Sequence, residues 1–172
     1  MEFNQLPVLQ IDGKSFAQSF SILRLLGLKY GYYPGVSNPE ACWEIDSLVD
    51  AVGDIMNAFY KGAFAPTPEA KEAEFKVYFS ETLPRWIAAI QKRLLKKDTK
   101  DRKYIVGDKS PSIADFALTA WAYGAYLNPE SPFQTKMAEV IDRFPEVVAY
   151  FKGLGTLKGV KEHLETRFKA SM

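Results

Sequence analysis

"NQLPVLQIDGKSFAQS", residues 4–19, decides how this chain is read. Leu6 to Ile11 has the composition of a strand interrupted early by Pro7, and Asp12-Gly13 is a turn dipeptide that sends the chain back through Lys14-Ser15-Phe16. From Gln18 the apolar period changes: Phe20, Ile22, Leu23, Leu25 and Leu26 fall at helical spacing, and Gly27 predicts the end of that helix. A two-stranded hairpin is marginal by itself. Leu6, Val8, Leu9 and Ile11 therefore need cover from the helix at 16–27 and from whatever the rest of the chain builds.

Working outward, GYYPGVSNPE (residues 31–40) is rich in Gly and Pro and predicts a boundary between this small unit and the remainder. Residues 38–63 place Trp43, Ile45, Leu48, Val49, Val52, Ile55, Met56 and Phe59 at helical spacing, and residues 68–97 predict a second long helix kinked at Pro84. A charged loop leads to Tyr104-Ile105-Val106-Gly107. Next comes Ser112-Ile113-Ala114-Asp115, an N-cap serine with an acid three residues on, which opens an apolar helix to about Leu127. Two short helices are expected near 133–143 and 145–153, stopped by Gly153 and Gly155, and a terminal one at 157–168. The pattern predicts a mainly α protein with a hairpin-plus-helix unit at 1–30 and an all-helical domain at 37–172. The sequence carries no internal repeat or low-complexity tract.

Composition narrows the function classes. With 172 residues, 47% apolar, 14% aromatic and 25% charged, the chain has the profile of a soluble globular protein. It has no apolar run of the length that crosses a bilayer, and MEFNQLPVLQ has neither the basic region nor the apolar stretch of a signal peptide, so a cytoplasmic location is expected, an organellar one not being excluded. A net charge of +1 provides no whole-molecule field for nucleic acid. The basic run at residues 92–103 reads as the solvated end of a helix and a polar loop, since cations favour a helix C-terminus. Cys42 is the one cysteine and His163 the one histidine. Cys42 has no basic neighbour and stands next to Trp43, which argues for packing rather than a reactive thiolate. His163 has no carboxylate or serine at motif spacing and reads as a surface or packed side chain. There is no Cys/His set with zinc spacing, no phosphate-binding glycine loop and no G-x-S-x-G.

Four stretches resemble the cytosolic glutathione transferases. Gln5-Leu6-Pro7-Val8-Leu9 with Asp12-Gly13 resembles that family's third strand, cis-proline and turn, and Gln18-Ser19 with Ser21-Ile22-Leu23-Arg24-Leu25-Leu26 resembles its QS-x-x-I-x-R-x-L helix. Ser112-Ile113-Ala114-Asp115 resembles the capping box of its buried sixth helix. Phe144-Pro145 and the segment to Arg167 resemble its last helices. Residues 45–54, IDSLVDAVGD, look most like the sigma class, which includes haematopoietic prostaglandin D synthase-like enzymes.

The resemblance implies a truncated thioredoxin-like remnant, hairpin plus helix, followed by the family's all-helical C-terminal domain. It implies glutathione as ligand: the tripeptide pairs main chain to main chain beside Gln5, Leu6 and Pro7, and Gln18 and Ser19 receive its γ-glutamyl end at a helix N-terminus, where a carboxylate is favoured. Simple helix capping is the alternative role for Gln18 and Ser19. Asp54 is implied to reach across a homodimer interface to the partner's glutathione amine; Gly53 stands where relatives often show a second acid, and no metal site is expected. Ser112 and Asp115 are expected to be a structural cap, worth about 0.5–2 kcal/mol. Phe59, Tyr60 and Phe64 are candidates for an apolar acceptor pocket, helix packing being equally open.

In the family a strand–helix–strand unit precedes this strand and carries the Tyr, Ser or Cys that activates the thiol. Met1-Glu2-Phe3-Asn4-Gln5 reads like the middle of such a sequence. The expectation is therefore an impaired, glutathione-transferase-like structural or interaction subunit, whose open strand edge pairs with another protein. The alternative is a truncated portion of an active sigma-like transferase that conjugates glutathione to electrophiles. Binding of glutathione without turnover is a third possibility.

Overall fold

The computed structural model describes residues 3–96, 103–107 and 109–166. Half of the basic run at 92–103, residues 97–102, and Arg167 lie outside the described residues. Strands β1 (Val8–Ile11) and β2 (Lys14–Ala17) pair antiparallel with Val8 opposite Ala17 and Ile11 opposite Lys14. Asp12 and Gly13 both have positive φ, as a two-residue turn between twisted strands requires. Helix α1 (Ser19–Tyr30) follows directly.

Helix α1 does not end at Gly27. It runs on to Gly31, which is left-handed at φ 80° and takes the stop role. Gly27 has a different function: a Cβ there would collide with the side chains of Ile113 and Tyr33, so the absent side chain is what lets α1 lie against the start of the next domain's central helix. Tyr32 C=O accepts from Ile113 N–H at 3.0 Å in the same place.

The helical part comprises α2 (Pro39–Ala63), α3 (Pro68–Val77), α4 (Leu83–Leu94), α5 (Ile113–Trp121), α6 (Gln134–Ile141), α7 (Pro145–Leu154) and α8 (Lys158–Thr166). Asn38 and Thr67 cap α2 and α3 through their side chains, and each helix then begins with a proline, whose missing N–H costs nothing at that position. The expected kink at Pro84 is a π-turn over Tyr78–Thr82: Leu83 N–H reaches back five residues to Tyr78 C=O, and the bond spacing changes where Pro84 has no N–H to give. A second π-turn, Ala122–Tyr126, extends α5. Gly153 lies inside α7 rather than stopping it.

The core is a single apolar cluster running through α2, α4, α5, α6 and α7, where Val49, Leu83, Ile87, Leu118, Ile141, Val147 and Phe151 are completely enclosed. Trp43, placed on the apolar side by its helical spacing, is 68% exposed. Cys42 is half-buried and its thiol donates to Gly35 C=O, a packing role without a basic partner. Leu6 is 82% exposed, so the cover expected for the hairpin reaches Val8, Leu9 and Ile11 only in part.

Candidate functional site

The end of the hairpin gathers one set of candidate residues. Because Val8 pairs with Ala17, the chain just before β1 runs on beside the chain just after β2, which sets Leu6-Pro7 next to Gln18-Ser19. Gln5, Leu6, Pro7, Gln18 and Ser19 are all exposed, and the Leu6-Pro7 bond is cis.

The start of α1 is open. Gln18 takes φ 70°, a conformation that non-glycine residues adopt at a cost of about 1–3 kcal/mol. Its side chain makes no cap, and the first helical bond is Ile22 N–H to Gln18 C=O at 2.9 Å. The N–H groups of Ser19, Phe20 and Ser21 thus precede the ladder, and the Gln18 side chain does not cap them. No acid occupies this first turn, so the partial positive charge of the helix end is left uncompensated. The capping role weighed for Gln18 is not the one its side chain plays.

Asp54 is reached from the other side. It is exposed on α2, and its neighbour Gly53 lies beneath the ring of Phe20, where a Cβ would crowd the ring edge. Phe20 directly follows Ser19, so the contact at Gly53 ties the start of α1 to α2.

Ser112 and Asp115 belong to a separate, interior constellation at the start of α5. Asp115 is fully buried; its Oδ2 accepts from Ser112 N–H at 2.7 Å and Ser112 Oγ at 2.8 Å, and its Oδ1 accepts from Ile105 N–H at 3.1 Å and Tyr150 O–H at 2.7 Å. Four donors on one carboxylate tie the loop at 104–106, α5 and α7 together. Burial, and then Asp115 itself, drives the Tyr150 phenol far above its ordinary pKa, so it remains a donor.

Between these two constellations lies an apolar cavity of about 340 Å³, bounded by Ser19, Phe20 and Leu23 of α1, by α2 and by α5. Phe59 and Tyr60 line it. Phe64 does not: it is 80% exposed and packs at a tilt against Tyr60 with ring centroids 5.7 Å apart.

One group the sequence reading passed over fastens the small unit to the bundle. Arg24 on α1 donates to Asp46 at 2.7 Å and to Asp50 at 2.9 Å, and Tyr33 O–H donates to the other Asp46 oxygen at 2.7 Å. Burial first, and the Asp46 carboxylate second, raise the Tyr33 phenol pKa. The available signal was an arginine in the apolar run of a helix of about three turns, with acids spaced four apart on the following helix. Among the described residues there is no cluster of three or more His, Cys, Asp or Glu suited to a metal, and no helix is long and apolar enough to cross a membrane.

The sequence profile described as "Glutathione S-transferase, C-terminal domain" matches residues 53–167. Mouse (Mus musculus) "Glutathione S-transferase A3" is 31% identical over 166 residues, 95% of this chain and 67% of that protein. Among solved structures, monomeric Na-GST-3 of the hookworm Necator americanus superimposes with a TM-score of 0.78 at 28% identity, over 99% of this chain and 78% of that one. Rat hPGDS, solved with a quinoline, gives a TM-score of 0.81 over 99% of this chain and 77% of its own; at 17% identity that likeness shows the fold. A two-stranded hairpin and helix leading into an all-helical domain is thus the glutathione-transferase fold. The chain belongs to the glutathione S-transferase family. It spans between a quarter and about half of some curated relatives and about two thirds of others.

Proposed function

We propose that this chain is a sigma-like glutathione-transferase relative that holds the docking half of a glutathione site and serves, through residues 1–172 alone, as a structural or interaction subunit with impaired catalysis. The observation that carries this reading is the uncapped start of α1 beside the exposed Leu6-Pro7 segment. A γ-glutamyl carboxylate is suited to the three N–H groups and to Ser19 Oγ, and the peptide backbone of the ligand to the chain at Leu6. In a homodimer, Asp54, exposed on α2, would reach across the interface to the amine of the partner's ligand. The open strand edges of the hairpin are the surface available to a further protein.

The chemistry of the residues at this end supports the impaired reading. A thiol of ordinary pKa, about 8.5, is only a few per cent ionised at neutral pH, and conjugation needs the thiolate. Gln5, Leu6, Pro7 and Gln18 offer no hydroxyl or thiol, and Ser19 is committed in this reading to the carboxylate. The expected result is that residues 1–172 bind glutathione weakly in calorimetry and give no conjugation of an electrophilic chloronitrobenzene above the uncatalysed rate. Robust turnover would overturn the impaired reading in favour of the second one: an active transferase conjugating glutathione to electrophiles. What favours that second reading is the third of the mouse relative's length outside the match, together with Tyr60 and Tyr78, whose rings line the cavity that Ser19 also borders.

A further inference from the structure

Helices α3 and α6 frame an open groove of about 900 Å³ to which the hairpin and α1 contribute no residue. Lys71, Glu72, Phe75 and Lys76 recur at the spacing of one face of α3. Lys136, Glu139 and Val140, with Arg143 just past the end of α6, repeat that spacing on the facing side. Phe79 and Ser80 enter from the π-turn Tyr78–Thr82, a rare backbone form that recurs at functional sites.

Floor and rims differ in chemistry. Phe75 and Val140 are 8% and 7% exposed and Phe79 is half-buried, so the apolar surface is recessed. Lys71, Lys76, Lys136 and Arg143 are exposed at the rims, against the two acids Glu72 and Glu139. Glu72 stands four residues before Lys76, and Glu139 four before Arg143, the order in which acid and base pair best along a helix. Neither pair closes: among the described residues none of these six side chains forms an ion pair, whereas Lys161 and Glu165, at the same interval, do so at 3.9 Å. Lys71 and Lys136 lie over the floor instead, their ammonium groups 5.9 Å from the centre of the Phe75 ring and 5.8 Å from that of Phe79. An ammonium has three donors and a ring face engages only part of them, so both lysines can still meet a carboxylate.

The kind of partner follows from this arrangement. A flat lipid surface would touch the cations but not the recessed rings. A nucleic acid carries a charge on every residue and would press phosphates against Glu72 and Glu139, and a net charge of +1 on the whole chain supplies no wider field to offset that. A peptide whose carboxylates flank an apolar side chain suits both parts: its acids reach opposite rims, its apolar group enters the floor, and uncharged positions pass the two glutamates.

We propose that the groove between α3 and α6 docks an acidic segment of a partner protein, with an apolar side chain set between its carboxylates. The proposal rests on neither glutathione nor the strand edge, and its readout lies on α3 and α6, so its failure leaves those readings where they stand.

The test is amide NMR on isotope-labelled residues 1–172 with an unlabelled peptide that repeats Asp-Leu-Glu. Shifts should centre on residues 68–84 and 134–143, and affinity should fall about tenfold between about 0.05 and 0.5 M salt, because exposed charge pairs are screened. Exchanging the peptide's acids for Asn and Gln should abolish the shifts, and exchanging its Leu for Ser should weaken binding about fivefold. Lys76→Glu combined with Arg143→Glu changes two exposed side chains without ion-pair partners and should cost about tenfold, while the same spectrum reports that the protein is folded. Shifts centred on the hairpin or spread over the whole surface, equal binding of the Ser peptide, binding that survives the double charge reversal, or no binding would each overturn the proposal. Tighter occupancy of the same amides by oligothymidylate or by phosphatidylserine vesicles would overturn it too.

Discussion

The hairpin with α1 and the helical bundle are held by different kinds of force. In the bundle, residues from five helices are completely enclosed, so its cohesion is collective and apolar. In the hairpin unit Gly27 is the buried residue of α1, the strands are half-buried at best, and attachment rests on a few specific contacts: Gly27 under Ile113, Phe20 over Gly53, and Arg24 between Asp46 and Asp50. The candidate ligand groups apart from Asp54 sit on the weakly held unit. Ligand-binding segments come from the less stable end of a fold because they must keep polar groups free.

The largest effect that would sharpen this contrast is on the bundle side. Asp115→Ala leaves Ser112 N–H, Ile105 N–H and the Tyr150 hydroxyl without their acceptor inside the core. With each stranded donor costing about 1–3 kcal/mol, the loss should reach about 4 kcal/mol, larger than an exposed helix cap is worth. Urea unfolding measures it; a loss under 1 kcal/mol would show that the constellation does not hold the bundle together.

Alkali should act on the bundle next. Tyr126 and Tyr150 have raised pKa values, from burial first and from the Asp142 and Asp115 carboxylates to which they donate, and Tyr78 is raised by burial alone. In each case the folded state keeps a proton that the unfolded chain gives up near pH 10, so their contribution is whole below that pH and is lost as pH rises through the folded values. Thermal midpoints should be flat from pH 8 to 9.5 and fall steeply above 10. A midpoint unchanged at pH 11 contradicts the burial assigned to these phenols.

On the other side of the comparison, Gly27→Val drives a branched side chain into Ile113 and Tyr33, at a cost of about 1–3 kcal/mol of overpacking. The expected signature is local: amide exchange should quicken over residues 8–30 while residues 113–121 keep their protection. Uniform quickening would mean that the two regions unfold as one.

These contrasts also explain what was legible. The capping box at Ser112 and Asp115 is written in four consecutive residues and is visible before any fold is known; the bonds from Ile105 and Tyr150 join it only through tertiary packing. Gly27 after an apolar run signals a stop, yet the signal for close helix approach is the same glycine, and only the position of Ile113 separates the two meanings. Pro84 announces an irregularity but not its π form. Helical spacing places Trp43 on the apolar side of α2, yet it is 68% exposed, because spacing does not say how far along a helix the packing of the bundle reaches. At the candidate site the residue types at 5–7 and 18–19 could be read, and the hairpin register that sets them side by side follows from Asp12-Gly13. The unusual φ of Gln18 has no local signature, because nothing in a glutamine asks for it.

The smallest expected change in stability carries the most about function. Ser19 is exposed, and among the described residues no side-chain cap is made at the start of α1. Ser19→Ala should therefore leave the urea midpoint within about 0.5 kcal/mol of the parent, as surface substitutions do. If the helix end receives a carboxylate, the same change removes one charge-assisted hydrogen bond, worth about 1.5–3 kcal/mol, and weakens glutathione binding by at least tenfold. The two readouts move apart only when Ser19 serves a ligand. Were the stability to fall while glutathione affinity held, the hairpin end would be a structural joint, and the division between a self-supporting bundle and a ligand-bearing unit would be wrong at its most exposed point.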